Sequence, residues 1–281
     1  MGYRCVEIEF KVTEEPLRIA PSLPRQDGWE KTLARCAEGF VVSDGSSLAK
    51  IGVDGRLLWK QALPIDGFVR EACISSDRVV VTTNLKSYGP WGSMGPAFML
   101  DLIDGRVVKK LIADRIAALS NGCFLLGLSG YDCFDTWLYD RAGEKRQSWR
   151  SYGHYIIGDD DDIRVLELSG TKPSKASYVR LHRNGEVERG PHLKGVAYHR
   201  PVIFDDGVVV TLDGGDLYAY DKGLGAQRIC AIFPYHEDKS HCYIVETISG
   251  DKNDLQIGLR ERSLTCNDYQ CSRWRLKLSR K

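Results

Sequence analysis

Gly39-Phe40-Val41-Val42 is an apolar run that reads as a buried strand. Leu48-Ala49-Lys50-Ile51-Gly52-Val53 follows as a second strand, Asp54-Gly55 as a turn and Arg56-Leu57-Leu58-Trp59 as a third strand. Asp-Gly suits a two-residue hairpin, whose central residues need a positive φ. The same succession recurs five more times. Its later first runs are Arg78-Val79-Val80-Val81, Cys123-Phe124-Leu125-Leu126, Ile163-Arg164-Val165-Leu166, Gly207-Val208-Val209-Val210 and Cys242-Tyr243-Ile244-Val245.

The second and third runs repeat with the first. Phe98 to Ile103 turns at Asp104-Gly105 into Arg106-Val107-Val108, and Thr136 to Asp140 turns near Ala142-Gly143 toward Trp149. Tyr178 to His182 turns at Asn184-Gly185 into Glu186-Val187-Glu188, and Leu217 to Asp221 turns through Gly223-Leu224-Gly225 into Gln227-Arg228-Ile229. The last unit pairs Gln256-Ile257-Gly258-Leu259 with the strand from Arg273 to Leu278. The units start about 35–45 residues apart, the period of a propeller blade of roughly four strands. The fold class expected is therefore all-β, a single β-propeller domain over residues 1–281, with six blades in 28–281. Seven is the alternative, if Glu14 to Glu30 holds a degenerate blade. Residues 4–12 alternate Val6, Ile8, Phe10 and Val12 with Glu7, Glu9 and Lys11, a solitary amphipathic strand. Within the lead-in of residues 1–20, it is expected to pair into the last blade, closing the ring and hiding a sheet edge.

Hydrophobic residues make up 43% of the 281 and charged residues 27%, enough for a packed core. The net charge of +1 supplies no global field toward nucleic acid or a membrane surface, and neither partner is expected. Glu7, Glu9 and Lys11 interrupt any apolar leader, and no run approaches a membrane span, so a cytoplasmic location is expected. The nine cysteines include no CxxC pair, and several lie within strand runs as small hydrophobes.

Asp213-Gly214-Gly215-Asp216-Leu217-Tyr218-Ala219-Tyr220-Asp221 followed by Gly225 resembles the PQQ-like (quinoprotein alcohol dehydrogenase-like) propeller repeat, with Ile229 where that repeat carries Trp. Asp44 to Leu48 with Asp54-Gly55 and Trp59 is similar to it, with a shorter turn. The resemblance implies that Trp59 and Ile229 dock one blade on the next. It does not bring the quinone with it, and no cofactor is expected.

The longest interval between turns holds Asn84 to Pro96, with three Gly, two Pro and the apolar Tyr88, Trp91 and Met94. An irregular loop with aromatic anchors for a partner protein is expected there, against a loop folded over its own blade. Asp159, Asp160, Asp161 and Asp162 follow Gly158. Such a cluster can hold Ca²⁺ or meet a basic partner, but four consecutive Asp lack the alternate ligand spacing of a calcium loop, and a solvated loop is the plainer reading. His236, Glu237, Asp238, His241 and Cys242 contain zinc-type ligands at a spacing that suits no known motif, and Cys266 and Cys271 lack a second pair. His154, His182, His192 and His199 are scattered. No GxSxG, HExxH or phosphate loop is present. The cationic C-terminal residues Arg273, Arg275 and Lys277 interleave with Trp274, Leu276 and Leu278, an amphipathic strand.

The function expected is a non-catalytic protein-binding scaffold, monomeric in isolation, whose role includes that of a cytosolic inhibitor or immunity-type neutraliser. Its partner-binding residues would be Tyr88, Trp91, Met94, Asp159, Asp160 and Asp161. The alternative is a propeller hydrolase or lyase with a His/Asp site at the channel mouth.

Overall fold

The computed structural model describes residues 3–11, 26, 28–89, 92–130, 133–158, 161–167, 176–193, 202–203, 209–213, 216–220, 224–231, 241–250, 254–263 and 271–280. No α-helix occurs among them. After β1 (Tyr3–Lys11), the first sheet contains β2 (Lys31–Cys36), β3 (Gly39–Asp44), β4 (Ser47–Gly52) and β5 (Leu57–Ala62), paired in that order. The second contains β6 (Gly67–Ser75), β7 (Arg78–Gly89), β9 (Pro96–Asp101) and β10 (Val107–Ile112), with β8 (Gly92–Met94) paired to β7. The third runs β11 (Arg115–Ala118), β12 (Phe124–Ser129), β13 (Phe134–Tyr139), β14 (Lys145–Trp149). The fourth runs β15 (Gly153–Ile157), β16 (Ile163–Glu167), β17 (Ala176–Leu181), β18 (Val187–Leu193). The fifth runs β19 (Val202–Ile203), β20 (Val209–Asp213), β21 (Asp216–Tyr220), β22 (Ala226–Ala231). In the last, β23 (His241–Gly250), β24 (Asp254–Ser263) and β25 (Cys271–Arg280) are followed by β1 at the edge.

The pairing of β1 with β25 is antiparallel, with Ile8 opposite Leu276 and Phe10 opposite Trp274, as the alternation of residues 4–12 predicts. The apolar runs read from sequence are the second strands of the first five sheets. In the last sheet the run at Cys242 is instead the outer strand β23, and β1 makes up the fourth place. The first strands β2, β6, β11 and β15 were not legible as apolar runs, because they carry polar residues such as Lys31, Arg70, Glu71, Arg115 and His154.

Two compact units divide the chain: Ser22–Val165 with Arg180–Glu188, and Met1–Pro21 with Leu166–Val179 and Arg189–Lys281. In the first unit β7 shows why its sequence is apolar without alternation. Val79 and Val81 pack with Val41, Leu48, Trp59, Phe98 and Leu100 on one face. Val80 packs with Met99, Leu111, Phe124 and Leu126 on the other. Both faces of the strand are buried, so each side chain contributes about 1.5–3 kcal/mol by leaving water. In the second unit Tyr178 and Tyr220 pack ring against ring with centroids 4.9 Å apart.

The Asx-Gly turns differ from the two-residue hairpins their dipeptides suggest. The Gly55 amide donates to the Gly52 carbonyl at 3.0 Å, and the Gly52 amide donates to the Arg56 carbonyl at 2.8 Å. Gly143 with Asp140 and Gly185 with His182 repeat this arrangement. These are three-residue turns in which Gly alone takes positive φ, +81° at Gly55. The preceding side chain holds the corner: Asp54 Oδ1 accepts from the Arg56 amide and Asn184 Oδ1 from the Glu186 amide, both at 3.0 Å.

Candidate functional site

In the first unit the opening strands are neighbours, β2 beside β6, β6 beside β11 and β11 beside β15. Because each sheet is a meander, its two ends carry different connections. The Asx-Gly turns lie at one end. The starts of the opening strands and the links between second and third strands lie at the other.

The turn end joins the sheets. Trp59 is 8% exposed, and its Nε1 donates to the Leu102 carbonyl of the next sheet at 3.0 Å. Gly105, at φ +74°, lies beneath the indole, where a Cβ would come within 2.6 Å of the ring. Two sheets on, Gln147 holds the place of Trp59, its Nε2 donating to the Arg183 carbonyl at 3.1 Å above Gly185, and Trp149 beside it donates from Nε1 to the His182 carbonyl at 2.9 Å. Between them Lys109 stands where a Trp would, donating to the Gly143 carbonyl at 2.7 Å and to Glu144 at 2.8 Å. The docking role implied for Trp59 is what the structure shows; the Ile229 side chain lies outside the described residues. Arg141 Nε donates to Asp77 Oδ1 at 2.8 Å, and this bond holds the Asp77 carboxyl below its ordinary range. The Glu144 amide and Arg146 do the same for Asp140.

The opposite end carries the long interval at residues 84–96. The expectation of an irregular loop is corrected: β7 continues to Gly89, and β8 returns beside it with Asn84 opposite Met94 and Gly89 opposite Gly92. Gly92 at φ +67° permits the reversal. The Gly95 amide then donates to the Thr83 carbonyl at 2.9 Å, and Thr83 Oγ1 donates to the Pro96 carbonyl at 2.6 Å, turning the chain into β9. Gly89, Gly92, Gly95 and Pro96 thus sit at or between the strand ends rather than preventing the pairing. Met94 is half-buried, whereas Lys86 and Ser87 are exposed. Tyr88 belongs to β7 with its side chain outside the described residues, and Trp91 lies outside them.

Asp159 and Asp160 also lie outside the described residues. Asp161 is 8% exposed at φ +56°, and its Oδ1 accepts from the Ser120 amide at 2.6 Å. Asp162 accepts from Arg164 Nε at 2.6 Å and pairs with Arg180 Nε at 3.1 Å. A solvated loop is therefore corrected for this half of the acidic run: its carboxylates bind the chain's own amide and guanidinium groups. Among the described residues no group of three or more His, Cys, Asp or Glu could hold a metal ion. His236 to Asp238 and Cys266 lie outside them.

A second constellation gathers beside the start of β11. Asp114 Oδ2 accepts from the Tyr152 hydroxyl and from Ser129 Oγ, both at 2.8 Å. Arg115 Nε donates to the Tyr152 hydroxyl at 2.9 Å, and Arg115 Nη1 lies 3.1 Å from His154 Nδ1. Since the guanidinium can only donate, Nδ1 accepts, and the neutral imidazole carries its proton on Nε2. Burial pushes the Tyr152 phenol above its ordinary range and does the same to Tyr155, which meets Thr136 Oγ1 at 2.8 Å. Burial and the bond to Asp135 push the Cys133 thiol up to about 11. Of these residues only His154 stood out in the sequence. Asp114 and Arg115 stand at the start of β11 with no motif, and their convergence with Tyr152 and His154 depends on the adjacency of β11 and β15.

No family model matches the chain, and no curated protein matches it. Solved structures do. The chain is similar to virginiamycin B lyase from Staphylococcus aureus at 14% identity and a TM-score of 0.54, covering 98% of this chain and 100% of that one. It is similar to KlHsv2 with loop 6CD replaced by a Gly-Ser linker at 11% identity and a TM-score of 0.52, covering 85% and 80%. The Dos1 propeller matches at 10% identity and a TM-score of 0.52, covering 82% and 65%. At such identities the likeness is one of fold, and with the meandering four-stranded sheets it gives the chain a β-propeller architecture.

Proposed function

We propose that this β-propeller is a non-catalytic protein-binding module whose anchor is the hairpin at residues 84–96. The observation that carries the reading is the pairing of β8 with β7 beyond the length its sheet needs. The second strands β3 and β12 have six residues each, whereas β7 has twelve. A hairpin held by backbone hydrogen bonds carries Tyr88, Trp91 and Met94 in its sequence, and its pairing lowers the ordering cost on binding. The finer architecture proposed is a six-bladed ring closed by β1, a degenerate relative of the PQQ-like repeat without the quinone. Docking by Trp59 supports that relationship. A cytoplasmic setting is part of this reading. A neutraliser of a partner protein falls within this reading, as does a scaffold; Asp161, in the link between β15 and β16, lies at the turn end and is not part of this surface.

The alternative, a hydrolase or lyase, is supported by the convergence of Asp114, Arg115, Tyr152 and His154. The two readings separate in affinity capture from the native lysate. Wild type is compared with Tyr88→Ala/Trp91→Ala and with Ile103→Ser at the turn end, where Ile103 is 78% exposed. The binding reading expects one protein to be lost with the double variant and retained with Ile103→Ser. Unchanged capture by the double variant overturns it.

A further inference from the structure

We propose that Arg115 anchors a binding site for a small oxyanion, a carboxylate or phosphate group. Among the described residues five arginines are half-buried or buried: Arg70, Arg78, Arg115, Arg164 and Arg180. Four have an ionic partner: Arg70 has Glu71 at 3.6 Å, Arg78 has Asp101 at 2.7 Å, Arg164 has Asp162 at 2.6 Å, and Arg180 has Asp162 at 3.1 Å. Arg115 has no carboxylate within 4.0 Å among the described residues. A guanidinium taken partly out of water with no carboxylate in direct contact is costly, and an arriving anion relieves that cost.

The geometry holds the cation ready. Arg115 Nε is engaged by the Tyr152 hydroxyl and Nη1 by His154, while the guanidinium carbon lies 5.4 Å from the centroid of the Tyr152 ring. These partners are neutral, so they fix the side chain without cancelling its charge. Asp114 is reached only through the Tyr152 hydroxyl, and its Oδ2 already accepts two hydrogen bonds. Nη2 has no acceptor among the described residues, leaving a donor edge of the planar fork that carboxylate and phosphate oxygens match. The site is independent of the hairpin's anchors, so it stands whether or not the chain binds a protein.

Calorimetric titration of the purified full chain tests the assignment. Inorganic phosphate and acetate are the separate probes, with chloride at matched ionic strength as the reference. Wild type is expected to bind one of the two saturably, and the tighter probe names the group recognised. Arg115→Gln is expected to weaken that binding at least tenfold, and Arg115→Lys, which keeps the charge but not the fork, several-fold. Arg35→Gln, which alters an exposed arginine over Phe40, is expected to leave it unchanged. A wild-type response equal to that of chloride overturns the proposal, as does equal affinity in wild type and Arg115→Gln. Should Arg115→Gln fail to fold, unchanged affinity in Arg115→Lys overturns it.

Discussion

The two ends of the sheets in the first unit obey different rules. At the turn end the same device recurs from sheet to sheet: a glycine at positive φ, an Asx side chain holding the corner, and a Trp, Lys or Gln donating into the next turn. At the other end nothing repeats. One sheet extends a hairpin, and a neighbouring pair assembles an Asp-Tyr-Arg-His constellation. Periodic chemistry fixes how sheets stack, and departures from the period mark where the chain does something the fold does not require.

The largest expected effect breaks this contrast most clearly. Trp59→Ala removes a buried indole and the shorter of two hydrogen bonds to the Leu102 carbonyl, leaving that from Lys50 Nζ, and it is expected to cost about 3–5 kcal/mol. Replacing residues 86–93 with a short Gly-rich turn is expected to cost about 1 kcal/mol or less, since only exposed pairing and modest loop closure are involved. Denaturant unfolding of both variants checks the pair; equal losses would remove the division between the ends.

A smaller effect sharpens the comparison through acid. Asp77 and Asp140 are held below the ordinary carboxylate range in the folded chain, by the Arg141 bond and by the Glu144 amide respectively. A depressed folded value means the stabilisation is present above the unfolded value of about 4 and is lost as pH falls through the folded one. Asp77→Asn/Asp140→Asn is therefore expected to flatten the fall in stability below about pH 4. Thermal unfolding across that range measures it, and an unchanged slope would separate the turn-end ion pairs from stability.

Much of this architecture was legible in the residues. The run at Val79 is apolar throughout because neighbouring sheets cover both its faces, and those at Val41 and Phe124 are buried residue after residue. Strand β1 was legible because only one of its faces is apolar. The opening strands were not, since Lys31, Arg70 and Arg115 interrupt any hydrophobic signal. The hairpin's position was legible from its excess length, but its pairing was hidden by residues that usually break strands. Asp114 and His154 are about forty positions apart, and only the adjacency of β11 and β15 brings them together.

Hydrogen exchange on the chain with its captured protein bound tests the central claim most directly, that the hairpin end is the binding end. The account predicts slowed exchange at the amides of residues 84–89 and 92–94, with residues 101–106 unchanged. Protection confined to the turn at residues 101–106, with the hairpin exchanging as in the free chain, would contradict it.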